Sequence, residues 1–464
     1  MQPSVERRAA LIAIGLLAVS IQPLRAQTPV APPPLPDSLT LADALRIGHE
    51  QNPVYRVQEA QLDANEAAER ANASWLNYLP TIWLGFSATA LQSRQLAGRD
   101  DFGRPIPLDE PITFRQTDFE IGPQFGTITL FDGGNRIRNS RSTRAGLRGE
   151  RARIDGEALT AESELIIAYY AAVVAAHQVD AAARQVEFTK VNLEAANRLL
   201  RVGAQDPLDV LSAELEALEA ENSLEQALGE VRKAKLVLLN EMGIGAEIDF
   251  GLADELPQPF DPATINAATL VSLALENSPQ IASATASSEQ SRYSLLNAQA
   301  GRWPTLTANL GISPGNPVGS GADPLFYLNP MNQTYRASVT VSLNIFDRLR
   351  TSTEIASARA GFVAASENQR ALRLQVENRV RELLIDLDNI HRRIDLQERT
   401  AALSIEQAEL SQEKYRLGAL SFRDLQIAID AAFTAEQDAL NARLDFARTR
   451  VEIEGLVGRR LEGL

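Results

Sequence analysis

The chain carries one set of structural signals twice, and that duplication limits its possible folds more than any other feature. Asn52-Pro53, inside an apolar helical pattern, returns as Ser278-Pro279, and Leu79-Pro80-Thr81 returns as Trp303-Pro304-Thr305. Leu130-Phe131-Asp132 returns as Ile345-Phe346-Asp347, and Arg201-Val202-Gly203-Ala204 as Arg416-Leu417-Gly418-Ala419. The separation falls from 226 residues at the first pair to 215 at the last two, as a shorter loop between two strands of the second copy would give. One unit of short helix, strand, loop, strand, very long helix and return helix is therefore expected twice, an order that points to a tube rather than a soluble enzyme.

Proline placement sets the helix lengths. None occurs between Pro123 and Pro207 or after Pro330, so stretches of 83 and 134 residues lack the strongest helix breaker. Long helices are predicted over about 135–200 and 350–416, each roughly 100 Å at 1.5 Å per residue. Return helices follow over about 207–242 and 422–457. In the second long helix Val376, Val380, Leu383, Leu387, Ile390 and Ile394 alternate steps of four and three, which keeps one apolar seam turned to a partner. The equivalent seam of the first copy, Ala161, Leu165, Ala168, Ala172, Ala175 and Val179, is mostly alanine. Bulky seam against shallow seam is the expected packing of the two copies.

Between the helical stretches the period changes to two. Tyr335, Ala337, Val339, Val341, Leu343 and Ile345 alternate with Arg336, Ser338, Thr340, Ser342 and Asn344. Strands are predicted over about 80–90, 117–131, 304–313 and 335–346, with loops over about 91–116 and 313–333 on one side and all helices on the other. Strands of about ten residues with one apolar and one polar face suit the wall of an outer-membrane barrel. A sandwich would use the same alternation to pack a second sheet. Four strands cannot close a conducting barrel, but three chains supply twelve. An open four-stranded sheet in lipid leaves bare edges at several kcal/mol per unpaired group, so a homotrimer is expected. The fold class is thus a mixed α and β membrane protein, a helical coiled-coil barrel continuous with a transmembrane β-barrel.

Residues 1–26 read as a secretory leader: Arg7 and Arg8 precede an apolar run from Leu11 to Ile21, too short to span a membrane, and Ala26 offers a cleavage point. The expected organisation is then a Pro-rich segment 27–38, a first repeat 39–250, a linker 251–264 and a second repeat 265–458. No stretch beyond the leader is continuously apolar for about 18 residues. The chain has no cysteine, so disulfides, thiolate metal sites and cysteine lipidation are excluded. Its formal charge of −15, without a basic tract, argues against nucleic acid as a partner. His49, His177 and His391 are scattered, Gly319-Ser320-Gly321 lacks nucleophile-elbow spacing, and no phosphate loop occurs. No catalytic residue, metal or cofactor is therefore expected. A soluble periplasmic coiled-coil scaffold or adaptor would use the rods but leaves the apolar strand faces unexplained.

The leader, the two copies, the Leu39-Thr40-Leu41-Ala42-Asp43-Ala44-Leu45 start, the Asn-Pro and Leu-Pro-Thr signals, the run Leu130-Phe131-Asp132-Gly133-Gly134 and the turn Tyr415-Arg416-Leu417-Gly418 together resemble the TolC-like outer-membrane efflux proteins. The resemblance spans roughly 39–458. It implies a trimeric exit duct in outer-membrane lipid with a periplasmic helical tunnel, joined to a periplasmic adaptor and an inner-membrane transporter, for efflux or type I secretion. Gly203 and Gly418 fall where each long helix must reverse, as a left-handed helix end requires. By resemblance, Arg201, Gly203 and Ala204 with Arg416, Gly418 and Ala419 form the adaptor-contacting tip. Asp424 is placed in an acidic ring at the periplasmic gate, and Asp209 and Tyr415 in a hydrogen-bond network holding it shut. Leu420 and Ile427 depart from the family pattern, replacing a basic partner and a second acid.

Overall fold

The computed structural model describes residues 35–99, 105–203, 206–245, 248–253, 255–314, 333–458 and 461. The leader, most of the Pro-rich segment, residues 315–332 of the second expected loop and Ala204 lie outside the described residues. In chain order the elements are β1 (Ser38–Leu39), α1 (Leu41–Gln51), α2 (Pro53–Ala73), β2 (Ile82–Arg99), β3 (Pro105–Phe125), β4 (Ile128–Phe131), α3 (Asn135–Arg201), α4 (Pro207–Glu241), β5 (Gly251–Leu252), α5 (Ala267–Asn277), α6 (Pro279–Ala300), β6 (Thr305–Pro314), β7 (Gln333–Ser342), α7 (Arg350–Arg416) and α8 (Phe422–Val457). The long helices α3 and α7 have 67 residues each.

Each long helix starts on an aspartate. Asp132 accepts from the backbone N–H groups of Gly134 (3.0 Å) and Arg136 (2.9 Å), and Asp347 from that of Thr351 (2.8 Å). These acceptors satisfy amide groups that a helix start leaves unpaired. The Xaa-Pro joints are pinned as well. Asn52 caps α2 by accepting from the Val54 N–H, and its Nδ2 donates to the Glu241 carbonyl at 2.6 Å. Asn277, beside Ser278-Pro279, donates to the Val457 carbonyl at 3.1 Å. Thus α2 begins where α4 ends, and α6 begins where α8 ends. The helical wall is α2–α3–α6–α7 near the strands and α4–α3–α8–α7 away from them.

The cores correct the expected seam packing. Leu165, Ala168 and Ala172 of α3 pack with Leu238 and Leu239 of α4, Met242 just past its end, and Ala44 and Ile47 of α1. Val376, Val380, Leu383, Leu387 and Ile394 of α7 pack with Phe446, Ile453 and Val457 of α8 and Leu270 and Ala274 of α5. The shallow seam therefore faces bulky residues mostly of its own half, joined by Leu444 of α8, and the bulky seam of α7 lies in a separate core. Among the described residues α3 is the one helix long and apolar enough on average to cross a membrane, although its continuous apolar run, Leu165 to Ala176, stays short of about 18 residues. Residues Leu165 to Ala175 lie in or beside the first core, so α3 is a packed helix of the wall.

The strands differ from expectation in length. β2 and β3 pair antiparallel from Ile82–Phe125 to Arg99–Pro105, with an irregularity between Gln95 and Ala97, so residues read as a loop over 91–116 are mostly hairpin. β7 ends at Ser342, not 346. β3 is interrupted at Gly126-Thr127, where the Gly126 N–H donates to the Thr81 carbonyl at 2.8 Å, and resumes as β4 beside β6. In the β6–β7 ladder Leu306 pairs with Val341, Ala308 with Val339, and Thr307 with Thr340. Apolar residues thus share one face and polar residues the other. Val339 and Val341 are about two-thirds exposed, and nothing among the described residues covers them.

Candidate functional site

At the end of the rod farthest from the strands, each long helix reverses within a few residues. Gly203 and Gly418 both take φ +73°, a left-handed conformation that a β-carbon disfavours. At the second turn the Ala419 N–H donates to the Lys414 carbonyl and the Gly418 N–H to the Tyr415 carbonyl, each at 2.9 Å, closing the end of α7. Asp206 starts α4 by accepting from the Leu208 N–H at 3.0 Å. Ser421 starts α8 by a reciprocal pair: its Oγ accepts from the Asp424 N–H (3.2 Å) and donates to Asp424 Oδ2 (2.7 Å).

The two turns line one open cleft of about 740 Å³ that brings together Gly203, Asp209, Gly418, Ala419 and Ser421. Arg201 and Arg416 are exposed beside it, with Arg416 3.7 Å from Glu413. Asp424 is exposed, whereas Asp209 is half-buried. Beneath the turns Ala195, Ala196, Ala213, Tyr415, Phe422, Leu425 and Ile429 form a core drawn from all four helices. Leu420 packs against that core, so the residue that departs from the family pattern joins the tip's apolar packing. Ile427 is exposed.

Tyr415 is wholly buried, with its ring 5.7 Å from that of Phe422, and its hydroxyl has no hydrogen-bond partner among the described residues. Asp209 and Tyr415, expected in a network that holds the entrance shut, make no hydrogen bond with each other among the described residues. What remains is electrostatic. Burial first, then the charges of Asp209 and Glu216, push the Tyr415 phenol up to about 12. The two hairpins are joined by apolar packing and by Gln412 Nε2 donating to Asn192 Oδ1 at 2.9 Å.

Two acids of this region were not singled out by motif. Glu216 is 5% exposed; burial and then the charges of Asp430 and Glu219 push its carboxyl up to about 7. Asp430 is raised by burial and by Glu219. The signal for Glu216 was present as an acid in the series Ala213, Glu216, Ala217 and Ala220, whose spacing is that of a buried helix face.

A long helical wall joined to a sheet with an exposed apolar face defines a class, and a sequence match names the family. Residues 49–243 and 270–459 match the outer membrane efflux protein family, and the chain belongs to it. Its location is accordingly the outer membrane. No curated protein matches in sequence. Among solved structures, the outer membrane protein VceC of Vibrio cholerae is 15% identical, with TM-score 0.74 and coverage of 90% of this chain and 96% of that one. The CmeC outer membrane channel of Campylobacter jejuni is 18% identical, with TM-score 0.69 and coverage of 90% and 85%. The open state of the MtrE outer membrane channel of Neisseria gonorrhoeae is also 18% identical, with TM-score 0.68 and coverage of 91% and 89%. The fold is that of outer-membrane efflux channels.

Proposed function

We propose that three copies of this chain close into a twelve-stranded outer-membrane barrel continued by a helical tunnel in the periplasm, forming the passive exit duct of a tripartite efflux or type I secretion system. The observation that carries this reading is the unfinished state of the single protomer. Among the described residues its two ladders, β2–β3 and β4–β6–β7, leave β2 and β7 each paired on one side alone, and β7 exposes an apolar face. Its helical wall exposes Leu208, Leu211, Leu215 and Leu218 on α4 and Leu374, Ile385, Leu396 and Leu403 on α7. Ring closure would pair the strand edges and cover both stripes.

In this reading the tip faces an inner-membrane transporter through a periplasmic adaptor, which engages Arg201, Gly203 and Ala204 of one turn and Arg416, Gly418 and Ala419 of the other. Asp424, exposed at the start of α8, is repeated three times around the axis, with Asp209 and Tyr415 behind it. Three converging carboxylates attract cations. Planar-bilayer recording tests the duct: purified protein is expected to open cation-preferring pores, and protein that inserts without conducting would contradict it.

A further inference from the structure

Glu216 lies where the α3–α4 hairpin packs on the α7–α8 hairpin, and its Oε1 has no hydrogen-bond partner among the described residues. The Tyr415 hydroxyl on α7 and Nδ2 of Asn192 on α3 are likewise buried and unpartnered. A buried polar group without a partner is costly, and here three come from three of the helices that meet beneath the turns, with the Glu216 charge felt at Tyr415. The charged groups acting on Glu216 are Glu219 of its own helix and Asp430 of α8, both negative. From α7 the region receives Tyr415 and Gln412, and from α3 the buried Asn192 and Thr189, none of them charged. Cations nearby serve other acids: Lys190 pairs with Glu221 at 3.0 Å, and Arg198 is 3.7 Å from Glu194. Lys414, Arg416 and Arg423 point to solvent.

We propose that Glu216 is a proton-operated positioning residue of the entrance: neutral, it lets the two hairpins stay packed, and ionised, its uncompensated charge draws in water and drives them apart. This rests on the reading of the tip as the entrance of a duct. The direction follows from linkage. Packed, the carboxyl holds its proton to about pH 7, whereas hydrated in a splayed tip it returns to the ordinary value of 4.5. The packed tip therefore binds the proton more tightly. Acid favours packing, and each pH unit between about 5 and 7 raises the splayed-to-packed ratio by at most about tenfold per protomer, levelling off above about 7.

The test is potassium current through the full-length protein in planar bilayers, with pH varied from about 5 to 8.5 on the side facing the helices. The wild type is expected to open more as pH rises to about 7, and Glu216→Gln to stay mostly closed throughout with no pH step. Asp430→Asn, which leaves Glu216 in place, is expected to move the step to lower pH and keeps the test decisive if Glu216→Gln fails to reach the membrane. A flat wild-type profile, a pH step retained in Glu216→Gln, or an unmoved step in Asp430→Asn overturns the proposal. Pores that never open at any pH would bring down the duct reading itself, whereas pores that conduct without regard to pH leave the duct standing and remove Glu216 from its gate.

Discussion

Arg348 and Leu349 stand where the first half has Gly133 and Gly134, and all four take left-handed backbone, with φ of +57°, +64°, +66° and +83°. For a residue with a β-carbon this conformation costs about 1–2 kcal/mol. Glycine relieves that cost but gives back about 0.5–1 kcal/mol in chain entropy. Leu349 is mostly exposed, so Leu349→Gly loses little burial and is expected to stabilise the protein by up to about 1 kcal/mol. A raised midpoint in denaturant would show it, and a lowered one would contradict it. The pair Gly133-Gly134 announced this turn in the sequence; Arg348-Leu349 did not, because neither residue type advertises a left-handed backbone. Asp424 has a comparable double character. Its carboxylate accepts from Ser421, the cap of α8, so Asp424→Ala removes the acceptor of that hydroxyl as well as a charge, while the capping bond from the Asp424 N–H to Ser421 stays. Asp424→Asn retains an acceptor for Ser421 and isolates the charge. Both variants are expected to reduce cation preference and block by multivalent cations in bilayers, and unchanged values in both would return Asp424 to a purely structural role.

At the scale of elements, the periodicity of two and the placement of proline made the strands and long helices legible, while their partners were not. The hairpin of β2 and β3 extends through Gly98, Pro107 and Pro111, residues that ordinarily punctuate loops. In that stretch β3 has a ladder only with β2, and prolines are tolerated where the other side carries no ladder. The alanine seam of α3 was visible, but the bulky residues opposite it come from α4, α1, β1 and, through Leu444, α8, which no spacing within α3 reveals. The facing of β7 yields a direct prediction. Val339→Arg or Val341→Arg places a charge on the face read as lipid-exposed, at about 2–4 kcal/mol near the midplane, whereas Thr340→Arg enters the lumen. Membrane yield is expected to fall for the first two and hold for the third; equal yields would mean the face is assigned wrongly.

For the whole molecule, duplication and helix length already implied an elongated wall, and the structure adds what that wall lacks. On α7 the exposed residues Val363, Leu374, Ile385 and Leu396 recur every eleven positions, then Leu403 and Leu410 every seven. Eleven residues make three nearly whole turns, so the stripe runs almost straight along the rod. A protomer alone would leave that stripe in water and its strand edges bare. The entrance was only partly legible: its glycines and Asp424 stand in duplicated motifs, whereas Glu216 was marked only by its place in a buried alanine face, and its lack of a hydrogen-bond partner among the described residues needed the structure. The mass of the folded particle extracted from the outer membrane in mild detergent tests the account most directly. Three chains per particle are predicted, with strand content lost whenever the particle falls to single chains. A stable monomer that keeps its strands would contradict the account.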